Sequence, residues 1–515
     1  MIRYSKFRFW VLCGLAISSG LDQPAFCDEP VRQGDWLVQQ DQELGHRIYT
    51  MELTLTPMPE TRPALKHRFI PDEFELQDGN AALFYLKAMG FLEQDYARNL
   101  LSETKKKLRQ IAEEKGEEVY NAAPDCWLEM SPKEIPVGEV KQYLHLTSFQ
   151  PLDLAEAAKR RSFSLDRNIR LVSNPVGVLL PEIQTMRLLG RTQSLRCRLA
   201  LAEGRVEDAI TIIGQQFAMA KHLGTDEFLV SNLVGCAIAG MVYGDALHLV
   251  QQPTTPNLYW AFASLPNPIC DLRNSLAFER QILFEQVKLL REIDETPRNA
   301  GYWQDFVGRI VPEFLNAGIV DSQRMVKDPD TARATLVAAI ASGYPGAKRY
   351  LIEGVKMDRD QVESYCTTQV FFLALKRFYE NTRDDHFKWI FTPIAQAITD
   401  SDFKSLDERT TSESLQLGWA SIPTTAFLIS TVPTRQASMR VQQTIAFLQT
   451  IEAIRMFGAS HEGKLPESLE NLPVPAPADP FTGKPLAYER SGDKAILKGH
   501  PLTGLQYRIV VRFAN

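Results

Sequence analysis

The sequence predicts a mainly α protein, with a body of helix hairpins in a solenoid-like arrangement and a small C-terminal α+β module. Three observations predict it. Successive segments between Pro181 and Val250 repeat apolar residues at the period of an α-helix. From Asn80 to Arg435 the chain is cut by Pro and Gly into pieces of helix length. From Gln436 onward one long periodic segment gives way to short alternating runs separated by turn residues. The expected division is residues 1–27 as a signal peptide, 28–75 as an N-terminal arm with a strand, 76–435 as the helical body, and 436–515 as a helix plus a small antiparallel sheet.

At the N-terminus Arg3, Lys6 and Arg8 precede the apolar run Phe9 to Leu21, and Ala25-Phe-Cys-Asp28 places small residues before a cut near Cys27. This pattern predicts a Sec-type signal peptide, and hence export to the periplasm or cell envelope. An uncleaved anchor is the alternative reading of the same stretch. With 57 basic against 63 acidic residues and no basic block, the chain is not expected to bind nucleic acid. Beyond residue 27 the cysteines are Cys126, Cys197, Cys236, Cys270 and Cys366. None forms a CxxC pair, and an odd, widely spaced set does not read as a disulfide framework. Cys197 and Cys236 fall on apolar helices and read as small hydrophobes, while one bridge among the others stays open.

Between Arg47 and Pro57, Tyr49, Met51, Leu53 and Leu55 alternate with Thr50, Glu52, Thr54 and Thr56, which predicts a strand with one buried face. Pro57, Pro59 and Pro63 end it. Helix begins at Asn80, and the charged run Glu103 to Glu118 reads as a solvated helix face. After the prolines at 124, 132, 136 and 151, Leu152 to Phe163 reads as another helix.

In the central block Leu188, Leu195, Leu199 and Ala202 form one helical stripe, Gly204 interrupts, and Val206, Ile210, Ile213 and Phe217 restart it. Glu207 and Asp208 suit the positive end of the second helix. The phrase Leu199-Ala-Leu-Ala-Glu-Gly-Arg-Val-Glu-Asp-Ala-Ile210 resembles the turn of a tetratricopeptide-type repeat, and the resemblance covers one repeat. Phe228 to Val250 is apolar on nearly all sides, so it must be buried. Its uncharged part, Leu233 to Gly244, is short of the roughly 20 residues needed to cross a bilayer, and membrane insertion of the mature chain is not expected.

Prolines at 253, 256, 266 and 268 mark a linker. Helices are expected at Leu272 to Ile293, Trp303 to Leu315, and Thr331 to Ser342 with Asp328-Pro-Asp330 as the start signal. Tyr344-Pro-Gly346 is expected to break that run before Ala347 to Val355 and Gln361 to Glu380.

In the tail Val441, Ile445, Leu448, Ile451 and Ile454 predict a helix ending near Gly458, followed by strands Leu486 to Arg490, Ala495 to Lys498 and Leu505 to Phe513. Gly463-Lys-Leu-Pro-Glu-Ser-Leu469 and the loop from Asp479 to Tyr488 resemble the C-terminal half of type II secretion pseudopilins, which implies a helix leading into a small sheet. The N-terminus lacks the cut after Gly and the following long apolar helix of that family, so a borrowed module is expected rather than a pilus subunit. Some pseudopilins hold calcium in this loop; here Asp479 stands without other fixed carboxylates and is expected to cap its own turn. With the phrases Leu265-Pro-Asn-Pro-Ile-Cys-Asp-Leu272 and Asp384-Asp-His-Phe-Lys-Trp389 added to this tail, the chain also resembles a set of large exported bacterial proteins, a likeness that implies architecture and no activity.

No HExxH, GxSxG, Walker loop, GxGxxG or metal-spaced Cys/His cluster occurs, so neither cofactor nor metal is expected. The best polar group is Asp384, Asp385 and His386, with Glu380 one turn before Asp384 and His386 as base or ligand. The same residues read equally as a helix-end surface paired with Arg383 and Lys388. His248 beside Asp245 reads as a satisfied core residue. Two classes of function follow: an interaction or scaffold protein with a protein partner, or an envelope hydrolase whose site is assembled only in the fold. A pseudopilus-associated component is a third reading, resting on the tail.

Overall fold

The computed structural model describes residues 30–41, 45–90, 96–114, 124–172, 175, 178, 180–317, 328–421, 431–501 and 504–514. The expected signal peptide, residues 1–27, lies outside them. The fold is mainly helical with a small strand-containing C-terminal region. It divides into two compact units, one holding Arg273–Arg435 with Asp166–Leu180, the other holding Pro181–Leu272 and Gln436–Asn515 with the preceding chain up to Leu165.

The second of these units is built on a six-stranded sheet. Its strands are β1 (Val31–Gln33), β2 (Trp36–Asp41), β3 (His46–Leu55), then, after a separate pair formed by β4 (Gln77–Asn80) and β5 (Arg160–Ser162), β6 (Ala487–Ser491), β7 (Lys494–Lys498) and β8 (Leu505–Phe513). The order is β1-β2-β3-β8-β7-β6, and the central pair β3 and β8 runs parallel from Arg47↔Leu505 to Leu55↔Phe513. Residues 28–75 and 436–515, read from the sequence as separate segments, therefore share one sheet. The alternation that predicted a half-buried strand at 47–57 is met from both ends of the chain. Tyr49, Met51, Leu53 and Leu55 are buried on the same face as Ile509, Val511, Ala495 and Leu497.

That face packs on the Thr431–Ser460 helix and its neighbours. The missing side chain of Gly458 lets the Phe513 ring lie directly on the helix, since a Cβ there would stand 2.3 Å from Cζ. Further along, a Cβ on Gly499 would meet Gln443 and Phe447 at 2.8 and 3.0 Å. The Pro181–Ala202, Val206–Gly224 and Leu229–Leu249 helices form the expected three-helix block. By length and composition the last of them could cross a membrane, and 72% of its apolar window is buried inside the structure. The Leu152–Phe163 expectation is corrected: the helix stops at Ala158, and Arg160–Ser162 pairs with β4. Tertiary contacts override local propensity there, because the Asn80 side chain bonds both the N–H and the C=O of Ser164 while its Oδ1 caps Ala82.

The other unit is helical. Trp303, Phe306, Ile310 and Phe314 form one stripe of the Ala300–Asn316 helix and share a core with Phe371, Phe372, Leu375 and Phe378 of the Thr367–Phe387 helix. Two expectations are corrected. The segment 272–293 is not one helix but three short pieces, Arg273–Glu279, Ile282–Gln286 and the 3₁₀ turn Lys288–Glu292. Ile282, Leu283 and Phe284 are all buried, and three consecutive side chains cannot share one face of a straight helix. Pro345 does not break its helix, which runs Pro329–Arg349 and then widens into a π turn at Tyr350–Gly354. The buried stripe Ala332, Leu336, Ile340, Gly343 and Ala347 continues through the proline, and Gly346 lies so close to the Gln416 carbonyl that a Cβ would stand 2.6 Å from it. Packing over that stripe outweighs the one hydrogen bond a proline removes.

Candidate functional site

The three residues singled out for chemistry lie at the end of the Thr367–Phe387 helix, and they diverge. Asp384 accepts from Arg383 Nε at 2.8 Å. Asp385 meets Lys388 Nζ at 3.0 Å and Arg409 at 3.2 Å, and both cations also reach Asp402. His386 turns inward and is buried, with Nε2 at 3.1 Å from Thr410 Oγ1. Its pKa is lowered by burial, against the pull of Asp407 and Asp385. Glu380 pairs with Arg377 at 3.5 Å and lines a cleft of about 270 Å³ with Asp294, Glu295 and Lys376. Asp384, Asp385 and His386 are outside that lining. The arrangement is a helix-end ion-pair network, the second of the two readings the sequence offered.

Asp479 is buried and fully engaged. Its Oδ1 accepts from the Phe481 N–H at 2.9 Å, which caps its own turn as expected, and its Oδ2 accepts from Gln443 Nε2 at 2.8 Å and the His500 N–H at 2.9 Å. The carboxylate ties the loop to the long helix and to the chain after β7. Among the described residues no group of three or more His, Cys, Asp or Glu side chains is placed to share a metal ion.

A more strongly perturbed group lies in the core of the sheet unit. Arg198 Nε stands 3.4 Å from Asp245 Oδ1, and one turn further along the same helix His248 Nε2 stands 3.3 Å from Asp35 Oδ2 on the β1–β2 turn. Burial pushes Asp245 up to about 6, opposed by the Arg198 guanidinium and by Ser194. Burial, reinforced by the same guanidinium, holds His248 down at about 3. A carboxylate at 3.3 Å would by itself keep an imidazole charged; desolvation outweighs it, because His248 is almost entirely enclosed while Asp35 is also raised by burial. His248 was read as a satisfied core residue, and it is buried; Asp245 beside it is buried too, and the partners Arg198 and Asp35 were missed. The available signal was Asp245, the one carboxylate on the apolar Leu229–Leu249 helix; Arg198 is one of four arginines on its own helix and gave none.

Asp245 gives a testable sign. A folded-state pKa raised from 3.8 to about 6 means that its contribution is fully present below pH 3.8 and is lost as pH rises through 6, at a cost of roughly 3 kcal/mol at neutral pH. Asp245→Asn stays neutral throughout. Urea unfolding should show the Asn variant gaining roughly 3 kcal/mol on wild type between pH 4 and pH 7. A difference that stays constant over that range would mean the carboxylate does not titrate as described.

The outer face of the sheet is the third feature. Opposite the buried face, Thr50, Glu52, Thr54, Lys494, Ile496, Lys498, Arg508, Val510 and Arg512 are partly or fully exposed. Lys498 Nζ pairs with Glu489 at 2.6 Å and Lys494 with Glu52 at 3.5 Å. Arg508 and Arg512 donate to neutral partners, Gln506 Oε1 at 3.0 Å and Thr54 Oγ1 at 3.2 Å. Four cations thus face two carboxylates on one surface of a chain whose net charge is −6. In the same unit Leu472, Pro473, Val474, Pro475 and Pro485 line an open cleft of about 440 Å³. No family model, no curated protein and no solved structure matches this chain.

Proposed function

We propose that the chain is a non-catalytic interaction or scaffold protein of the cell envelope, exported through its N-terminal segment, with a solenoid-like helical body and a sheet that docks an acidic segment of a protein partner. The observation that carries this reading is the excess of cations on the outer face of the six-stranded sheet. Lys494, Lys498, Arg508 and Arg512 come from β7 and β8, paired with each other and held between β6 and β3, so their charges are fixed relative to one another before any partner arrives. Apolar Ile496 and Val510 lie among them and supply contact area that a charge-only surface would lack.

The test places a photo-cross-linking amino acid at Thr50 on this face and, as a control, at exposed Leu415 in the other unit of the full-length exported chain. One stoichiometric adduct is expected from position 50 and none from 415. Combined Lys494→Glu and Arg512→Glu substitutions should reduce that adduct by about tenfold or more, and raised salt should act in the same direction. An adduct indifferent to the charge reversal would sink the docking face. Secretion-pseudopilus subunits in the adduct would move the reading to the pseudopilus-associated alternative.

A further inference from the structure

Cys236 and Cys270 meet in the core of the sheet unit, one on the Leu229–Leu249 helix and the other in the segment that follows Pro268. Two glycines allow the approach. A Cβ on Gly224 would stand 2.7 Å from the Cys270 Cα, and one on Gly235 would stand 3.3 Å from the Cys270 Sγ and 2.9 Å from the Ala220 carbonyl. The Cys270 Sγ thus rests on the helix surface beside Cys236, close enough for the two thiols to hydrogen-bond each other. The Cys270 thiol also reaches the Ala220 carbonyl at 3.5 Å, and Ser438 Oγ donates to the Cys270 carbonyl at 2.9 Å, so the segment is held from two sides. Both side chains are buried, and both are reduced in this structure.

We propose that Cys236 and Cys270 are a disulfide site, bridged when the folding chain meets a small-molecule or protein disulfide as oxidant. The proposal goes beyond the reading of Cys236 as a small hydrophobe, which its burial fits; its proposed partner lies in a loop and not on a helix. The chemistry balances as two exchanges. One cysteine thiolate attacks the oxidant's disulfide, forming a mixed disulfide and releasing one thiol; the second cysteine attacks the protein sulfur of that bond and releases the other. The two protein thiols lose two protons and two electrons, and the oxidant becomes two thiols. The hydrogen bond with Cys236, and then burial, hold Cys270 well above the usual thiol range, so in the closed core it stays protonated and unreactive. The bridge therefore forms while the segment around Cys270 is still open, before it docks on Gly224 and Gly235. Once formed, it closes a loop carrying His248, Thr255 and Asn257 and fixes that loop to the helix.

The experiment uses the full-length chain unfolded in urea and refolded with a mixture of reduced and oxidised glutathione as the probe. Free thiols are then blocked with N-ethylmaleimide under denaturing conditions and the digest is mapped by mass spectrometry. The expected result is a linked peptide pair containing Cys236 and Cys270, with both sites free of adduct, and a thermal midpoint that falls by about 3 °C or more when dithiothreitol is added. Cys236→Ala should leave Cys270 fully alkylated and abolish the response to dithiothreitol. Both cysteines carrying the adduct in folded wild-type protein, or either one linked to a different cysteine, would overturn the assignment. The mapping is made on wild-type protein, so it decides the question even if the Ala variant fails to fold.

Discussion

Arg455→Leu is expected to unfold the sheet unit or to leave it several kcal/mol less stable. Arg455 and Glu452 form an ion pair one helical turn apart, and neither side chain has any exposure. The guanidinium bonds both Glu452 oxygens, at 2.8 and 3.0 Å, and donates to three main-chain carbonyls, Thr56 at 3.1 Å, Thr255 at 2.7 Å and Pro256 at 3.4 Å. Asn257 completes the joint by donating to the Glu452 carbonyl at 2.8 Å. Three chain segments distant in sequence meet on one planar cation: the end of β3, the turn at 255–257 and the long C-terminal helix. Removing one member of a buried pair typically costs about 3–5 kcal/mol, and each stranded carbonyl adds about 1 kcal/mol or more. Glu452→Leu combined with Arg455→Leu removes the orphaned carboxylate, so the double variant should recover part of the loss. Urea unfolding of the two variants checks both statements, and a single variant within about 0.5 kcal/mol of wild type would falsify the account of this joint.

The second large effect is acid sensitivity. His248 is held at about 3 and His222 at about 4, each chiefly by burial, against an ordinary value of 6.5. Below pH 6.5 the unfolded chain takes up protons that the folded chain refuses. The stability these two residues contribute is therefore complete above pH 6.5 and is lost as pH falls toward 4 for His222 and 3 for His248, with totals of roughly 3 and 5 kcal/mol. His222 is fixed in one tautomer: its Nε2–H donates to the Arg160 carbonyl at 2.9 Å, and its Nδ1 accepts from the Tyr85 hydroxyl at 2.9 Å. A second proton, on Nδ1, would force the Tyr85 hydroxyl to turn its own hydrogen away and accept instead. Asp245 works in the opposite direction over pH 4–6, so the wild-type curve alone underestimates the histidines. Comparing wild type with His248→Gln at pH 7 and pH 4 isolates one of them, and wild type should lose roughly 3 kcal/mol relative to the variant. Parallel curves for the two proteins would remove His248 as the source.

Much of the fold was legible because periodicity reports burial. The strand at 47–57, the helix start at Asn80, the three helices from Pro181 to Val250 and the three C-terminal strands all follow from apolar spacing and turn residues. What escaped were decisions taken by distant partners. Nothing near Arg160 announces a strand, since its pairing residue is Gln77. Pro345 reads as a breaker until Gln416 and Leu417 are seen pressed on Gly346. The sheet was read as a small antiparallel sheet of three C-terminal strands because parallel pairing of β3 with β8 leaves no local trace. At the candidate site the residue types suggested a possible base beside two acids; the structure turns His386 inward and sends Asp384 and Asp385 to basic partners at the surface, which their spacing does not announce. The partner of Asp245 was hidden for a related reason: a charge on an apolar helix declares that it has a partner without saying where.

The parallel pairing of β3 and β8 joins residues 458 positions apart in the sequence. Strand β3 can bury Tyr49, Met51, Leu53 and Leu55 between two neighbours only after Leu505–Phe513 exists and has reached it. During synthesis the hairpin of β2 and β3 must wait with one edge unpaired until Leu505–Phe513 is made. Such an edge is the kind of segment that pairs with the wrong strand. Strand β3 is made long before it is secured, so completion of this sheet is governed by the arrival of Leu505–Phe513.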